Sequence, residues 1–291
     1  MRLPRIATLF FILMLNSAWY SAQALQAPPD PALLVREVVY NELHDHQQHG
    51  YWRYWIQRRT PNGTLVEEQV ETAGGPIARV AFGDGHPLSP EDRQKEQASL
   101  DRLLTSPQEQ ARRLRQYEQD EERIGRIVAL LPGAFLYEFD AQEGGCYRLR
   151  FHPNPSFPPH SIEARIFHAM SGTLWIDARY KRLAGLEGHI DENVDFGFGL
   201  LGRLYKGGWF RLKRVRVSST DWKTELLEVH MNIRALLVTS FSRETSEVRG
   251  GFTLLPGGIT VAQGIALLEE PEAQPLPPDL PAAPRAMAFN R

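Results

Sequence analysis

The sequence predicts an α+β fold in which a large antiparallel sheet is covered by inserted helices. Three features predict it: apolar residues at every second place between Leu186 and Ala235, Asn-Gly and Gly-Gly joints between short apolar runs, and one long helical block set among the strands. From Gly172 to Val217 the chain reads as three successive strands. In them Leu186, Ile190, Val194, Phe196 and Phe198 recur at even positions, broken by Gly188 and Glu192. The alternation resumes after Trp222, where Leu227, Val229, Met231, Ile233 and Ala235 interleave with Glu228, His230, Asn232 and Arg234. A period of two gives a sheet one greasy face and one wet face. The functional question is what covers the greasy one, and whether the cover is permanent.

The N-terminus predicts the compartment. Arg2 and Arg5 precede an apolar stretch, Ile6 to Leu15, and Ala22-Gln23-Ala24 is a small-x-small cleavage site. This is the pattern of a secretory signal peptide over 1–24, with the mature chain starting at Leu25 and residing in the periplasm or outside the cell. The apolar stretch is too short for a membrane span, and no later one reaches about 18 residues. No cysteine stands directly after the cleavage site, so no lipid attachment is expected there. With 42% hydrophobic and 23% charged residues, the 291-residue chain has enough apolar material for a full core. The formal net charge is −2, and −4 once Arg2 and Arg5 are removed, with both signs dispersed. That gives no electrostatic reason to expect nucleic acid. Cys146 is the single cysteine, which excludes an internal disulfide and a cysteine metal cluster.

Taken in order, Asp30 and Pro31 open a short helix carrying Leu33, Leu34 and Val38, followed by a polar joint, His44 to His49. Strands Tyr51–Thr60 and Thr64–Thr72 flank Pro61-Asn62-Gly63, a hairpin signal that also explains the glycosylation-like Asn62-Gly63-Thr64. A third strand, Ile77–Phe82, ends at Gly83-Asp84-Gly85. Ser89-Pro90 and Ser106-Pro107 read as capped starts of a helical insert at about 89–131, with Glu109 completing a capping box. In the second helix Leu114, Tyr117, Ile124, Val128 and Leu131 form an apolar seam. Glu121 interrupts it and is costly to bury unpaired, so its turn is expected at a solvent-accessible mouth. Pro132-Gly133 is expected to end the helix. Strands Phe135–Asp140 and Cys146–Phe151 follow, then an irregular proline-rich crossing, His152–His160. Strands Val238–Val248 and Gly250–Leu255 close a single domain, 25–269. Residues 270–291, with six prolines from Pro271 to Pro284, have the composition of a disordered tail.

The stretches Gly172-Thr-Leu-Trp-Ile-Asp177, Leu186-Glu-Gly188 and Gly207-Gly208-Trp209-Phe210 resemble exported bacterial proteins with the periplasmic lipoprotein carrier (LolA/LolB-like) fold. The resemblance covers roughly Leu33 to Leu255. It implies an incomplete antiparallel barrel, curled around helices, with an apolar cavity for acyl chains between them.

Chemical motifs are few. His44, His46 and His49 match no metal-ligand spacing and read as a solvated loop. Gly83-Asp84-Gly85-His86 reads as a strand-ending turn. Asp177 and Asp195 form a carboxylate pair only if the sheet brings them together. Lys206, Arg211, Lys213, Arg214 and Arg216 make one hairpin basic, the usual mark of a solvated face and also a feature that attracts anionic headgroups. Ser171-Gly172 lacks the nucleophile elbow, and no phosphate-cradling loop occurs. No catalytic residue, metal or cofactor is assigned. The sequence therefore predicts a non-catalytic binding or carrier protein of the envelope. Its groove for a lipid or acyl chain would be lined by Leu114, Ile124, Val128, Leu227, Val229, Met231 and Ile233. The alternatives are an interaction module whose own helices fill the cavity and which binds an envelope protein, or an exported hydrolase or metal enzyme.

Overall fold

The computed structural model describes residues 29–44, 50–196, 202–235 and 239–269, without the side chains of 235 and 239–243. The expected signal peptide, His46, His49, Phe198 and the proline-rich tail therefore lie outside the described residues. Within them the chain orders α1 (Pro31–His44), β1 (Tyr51–Thr60), β2 (Gly63–Val70), β3 (Ile77–Gly83), β4 (His86–Pro87), α2 (Pro90–Thr105) and α3 (Pro107–Ala134). β5 (Phe135–Glu143), β6 (Cys146–Pro153), α4 (Ile162–Phe167), β7 (Met170–Asp177), β8 (Leu183–Ile190), β9 (Val194–Phe196) and β10 (Gly202–Leu204) follow. β11 (Trp209–Arg216), β12 (Trp222–Ala235), β13 (Thr239–Leu255) and α5 (Val261–Glu269) complete the described chain.

All thirteen described strands join one antiparallel sheet, as the sequence predicts. Eleven lie along one path, β4-β3-β2-β1-β13-β12-β11-β8-β7-β6-β5, and β9 and β10 attach beside β12. The ends β4 and β5 do not pair, so the sheet stays open rather than closing into a barrel.

Local chemistry sets the helix starts. The Asp30 carboxylate accepts the Ala32 amide at 2.9 Å. The Ser89 and Ser106 hydroxyls accept those of Asp92 and Glu109 at 3.1 and 3.2 Å. Each satisfies an amide that the first helical turn leaves open. At the other end α3 does not stop before Pro132 but runs through it to Ala134. A proline in the last turn removes only one amide, and Asn154 replaces the missing partners. Its amide and side chain donate to the Ala134 and Gly133 carbonyls, each at 2.9 Å. The two strands expected on either side of Gly250 are one strand, β13. Its break is a bulge opposite Arg53 and Trp55, where Gly251 takes a φ of +67°.

Register puts the core on one face. Phe139, Leu149, Leu174, Leu186, Leu212 and Leu227 stand opposite one another across β5, β6, β7, β8, β11 and β12. Leu34, Val35, Val38 and Val39 of α1 and Ile127, Val128, Leu130 and Leu131 of α3 pack into the core built on this face. α2 and α5 lie elsewhere: Leu100, Leu103, Ile265 and Leu268 cluster with Val70 and Ile77. On β2, Val70 points away from Gln69 and Glu71, so α2 and α5 hold the opposite face from α3.

One glycine pair sets how closely β7 and β8 approach. Gly172 stands opposite Gly188, and Gly188 opposite Phe210, whose ring occupies the space a side chain at Gly188 would need. A Cβ at Gly172 would overlap the Glu187 carbonyl oxygen, part of the neighbouring backbone, and meet Phe151 Cζ at 2.7 Å. Because backbone cannot swing aside as a side chain can, Gly172→Ala should destabilise the fold by about 1–3 kcal/mol, the range for overpacking. Urea unfolding checks it, and an unchanged midpoint would contradict this packing.

Candidate functional site

α1 is fixed on the apolar face by one carboxylate. Glu42 accepts Arg182 Nε at 2.9 Å and Arg214 Nη1 at 2.5 Å, and also the Leu183 amide at 3.0 Å. Arg214 in turn donates to the Trp222 carbonyl at 2.9 Å. α1 is thereby tied to the start of β8 and to β11. Burial works to raise the pKa of Glu42, but Arg214 and Arg182 outweigh it and hold the carboxyl below its ordinary range. α3 lies against α1, with Gly125 facing Leu43 at 3.7 Å from where a Cβ would sit.

α3 crosses a change in the sheet. Beyond Leu227 the apolar row meets Glu247 of β13 and then Arg58 of β1. Arg58 bridges Glu247 at 2.9 Å and Glu67 at 3.1 Å, and Arg249 adds a 2.9 Å contact to Glu247. The same face is thus greasy under the C-terminal half of α3 and charged beyond it. Over the charged part stand Tyr117 and Glu121, with a cavity of about 300 Å3 beneath them.

Tyr54 and Gln69, opposed on β1 and β2, line this cavity, and the Gln69 amide donates to the Tyr54 hydroxyl at 2.5 Å. Lys223 reaches both oxygens of Glu71, at 2.7 and 2.8 Å. Asp221 is only 3% exposed. It accepts the Gly50 amide, the Trp52 indole and the Ser218 and Thr220 hydroxyls at 2.6–3.1 Å. Burial would raise its pKa, but these donors, the Ser218 and Thr220 hydroxyls foremost, hold it low. Asp221 is therefore an anchor joining the start of β1 to the β11–β12 turn. Burial, aided by Glu71, raises the Tyr54 phenol, and burial with Glu121 and Glu71 pushes Tyr117 up to about 12. Both phenols stay protonated near neutral pH. The cavity offers paired charges, neutral hydroxyls and an amide.

The seven residues expected to line an apolar groove stand in different surroundings. Val128, Met231 and Ile233 pack on the core, and Leu227 and Val229 stand half-buried opposite Leu212 and Phe210. Leu114 is half-buried, while Ile124 is 54% exposed. None of the seven lines the cavity; Glu121, expected at a mouth, does. Asp177 and Asp195 are not brought together. Asp177 accepts the Arg179 and Tyr180 amides in the β7–β8 turn, and Asp195 pairs with Arg203. The length of β8, roughly 25 Å, separates them. Asp84 accepts the Thr64 amide at 2.8 Å in the β3–β4 turn. His44 stacks on Tyr40 at 4.0 Å. Among the described residues, no three His, Cys, Asp or Glu side chains gather as metal ligands. The basic hairpin is divided by strand alternation and by counter-charges: Arg211 meets Glu187, Lys213 meets Glu225, Arg214 meets Glu42, and Arg216 lies over the Tyr180 ring.

No protein-family model matches the chain, nor does any curated protein. Among solved structures, the crystal structure of MucB in complex with MucA(peri) aligns with 81% of this chain and 97% of that one. The identity is 8% and the TM-score 0.22, values too low to support a conclusion about fold, partner or activity.

The Glu42 clamp yields a test. Glu42→Gln removes the carboxylate that Arg182 and Arg214 share, whose side chains are 10% and 15% exposed. It should cost about 3–5 kcal/mol at neutral pH. Because the folded-state pKa lies below 4.5, the clamp contributes fully above that pH and loses its contribution as pH falls through the lower value. Urea midpoints of the two forms should differ widely at pH 7 and converge on acidification. A gap that persisted undiminished at about pH 2 would contradict the linkage.

Proposed function

We propose that the chain is an exported, non-catalytic binding protein of the bacterial envelope whose own helices fill its apolar face. It engages its partner at the polar mouth beside Tyr117 and Glu121. One observation carries the reading: α1 and the C-terminal half of α3 occupy the apolar side of the sheet, with Leu34 3% exposed and Val35 2% exposed. An acyl chain entering there would have to displace them and break the Glu42 clamp. The open space at the other end of α3 is lined with paired charges and phenols, which suit a polar ligand or protein side chains and not a hydrocarbon. Export rests on the signal-like N-terminus, and the absence of catalytic spacing in the sequence supports binding over chemistry.

The test uses mature protein from the extracytoplasmic fraction, its start at Leu25 checked by N-terminal sequencing. Leu34→Ala should lower unfolding free energy by about 2–5 kcal/mol, as for a buried large-to-small change. A fluorescent fatty-acid probe should show no saturable binding to the unmutated protein. Saturable binding that Met231→Ala weakens, with little stability lost in Leu34→Ala, would instead establish an acyl carrier with movable helices.

A further inference from the structure

The mouth is larger than one cavity. A second, of about 310 Å3, lies beside the first and shares Pro76 and Tyr117 with it, with Arg113, Gln116 and Asp120 on its α3 side. Tyr117 is thus the wall between two spaces, each at the small end of the roughly 300–1,000 Å3 typical of ligand clefts. Each suits a single ring and not a chain. Gly75 lies against this wall: it takes a φ of +90°, and a Cβ there would stand 3.5 Å from Tyr117.

The chemistry narrows the ligand. Charges of both signs line the two spaces: Lys223 sits on Glu71 and Arg249 on Glu247, Arg113 donates to the Pro76 carbonyl, and Asp120 and Glu121 add carboxylates. Beside them stand neutral donors and acceptors from Tyr51, Gln69, Tyr117 and Gln116. Tyr51, Tyr54, Tyr117 and Trp222 are the aromatic residues lining the first space. With both signs of charge in the lining, neither selects a charged ligand; one that carries hydroxyls at its edge, presents a C–H face and bears no net charge answers these conditions.

We propose that the two cavities bind a short neutral oligosaccharide, one sugar ring on each side of Tyr117. The proposal rests on the reading of this mouth as the binding site. Hydroxyls act as donor and acceptor at once, so one sugar edge can pair with phenol, amide and carboxylate together.

The experiment titrates the full mature chain with chito-oligosaccharides and malto-oligosaccharides of one, two and four units, read by calorimetry and tryptophan fluorescence. At least one series should bind with a Kd below about 1 mM, and its tetramer should bind about ten-fold tighter than its monomer. Tyr117→Ala should weaken that binding about ten-fold, and Tyr117→Phe, which keeps the ring, should retain most of it. Arg113→Ala should reduce the advantage of the tetramer and leave the monomer unaffected. Tyr117 is 37% exposed, so these variants are expected to melt with the unmutated protein. No saturable signal from either series at about 10 mM, or binding that Tyr117→Ala leaves unchanged, would overturn the proposal. Either failure leaves the filled interior standing, because that is decided separately by the fatty-acid probe and Leu34→Ala.

Discussion

The contact of Glu42 with Arg182 and Arg214 is the constraint on which the remaining arrangement depends. Burying three charges is costly, and a pair of this kind seldom contributes large net stability over an apolar substitute. Its effect is positional. The Glu42 carboxylate also accepts the Leu183 amide, so α1 has one depth and one rotation against β8 and β11. With α1 seated, Leu34, Val35, Val38 and Val39 meet the row from Leu149 to Leu186. α3 then docks on α1 where Gly125 admits Leu43, and that contact sets which turns of α3 reach past the core. Tyr117 and Glu121, two turns and one turn before Gly125, are carried over the cavity that Arg249 and Lys223 also line.

The sheet itself decides where the helices stop. Between β12 and β13 the same register position changes from Leu227 to Glu247, and apolar cover is no longer favourable. The charged part is not simply solvated. Burial pushes Glu67 up despite Arg58 beside it, with Glu247 adding to the rise, while Arg249 and Arg58 overcome burial at Glu247 and hold it low. Two carboxylates within one network thus have environments that move them apart. This is the expected result when two guanidinium groups are shared among neighbouring acids in a partly buried site. Arg249 links this network to the cavity bordered by Tyr117 and Glu121.

Much of the fold was legible because its signals are local. Asn62-Gly63 specifies the first hairpin, Ser89 and Ser106 specify two helix starts, and alternation from Leu227 to Ile233 specifies β12 and its inward face. Reading Pro132 as a stop went wrong because Asn154, twenty-two residues later, supplies the caps that let the helix pass it. α4 and α5 were not anticipated: α4 is a single short turn capped by Ser161, and α5 follows Gly257-Gly258 with only Thr260 and Gln263 marking its start. The mouth was legible only at Glu121, whose charge in an apolar seam required water or a partner nearby. Tyr54, Gln69, Lys223 and Arg249 come from four strands and share no spacing, so register across the sheet assembles them and no motif announces them. The exposure of Ile124 was not legible either, since seam periodicity gives a side of the helix but not how far the neighbouring helix extends to cover it.

The central claim is that the apolar face is permanently filled by α1 and α3, and native-state hydrogen exchange tests it most directly. The amides of Val35, Val38 and Val39 should exchange only through global unfolding, with the same free energy and the same urea dependence as Leu174 and Ile176 in β7. If the α1 amides instead exchange several kcal/mol more readily, through an opening that leaves β7 protected, the helix is a movable lid and the face beneath it a groove.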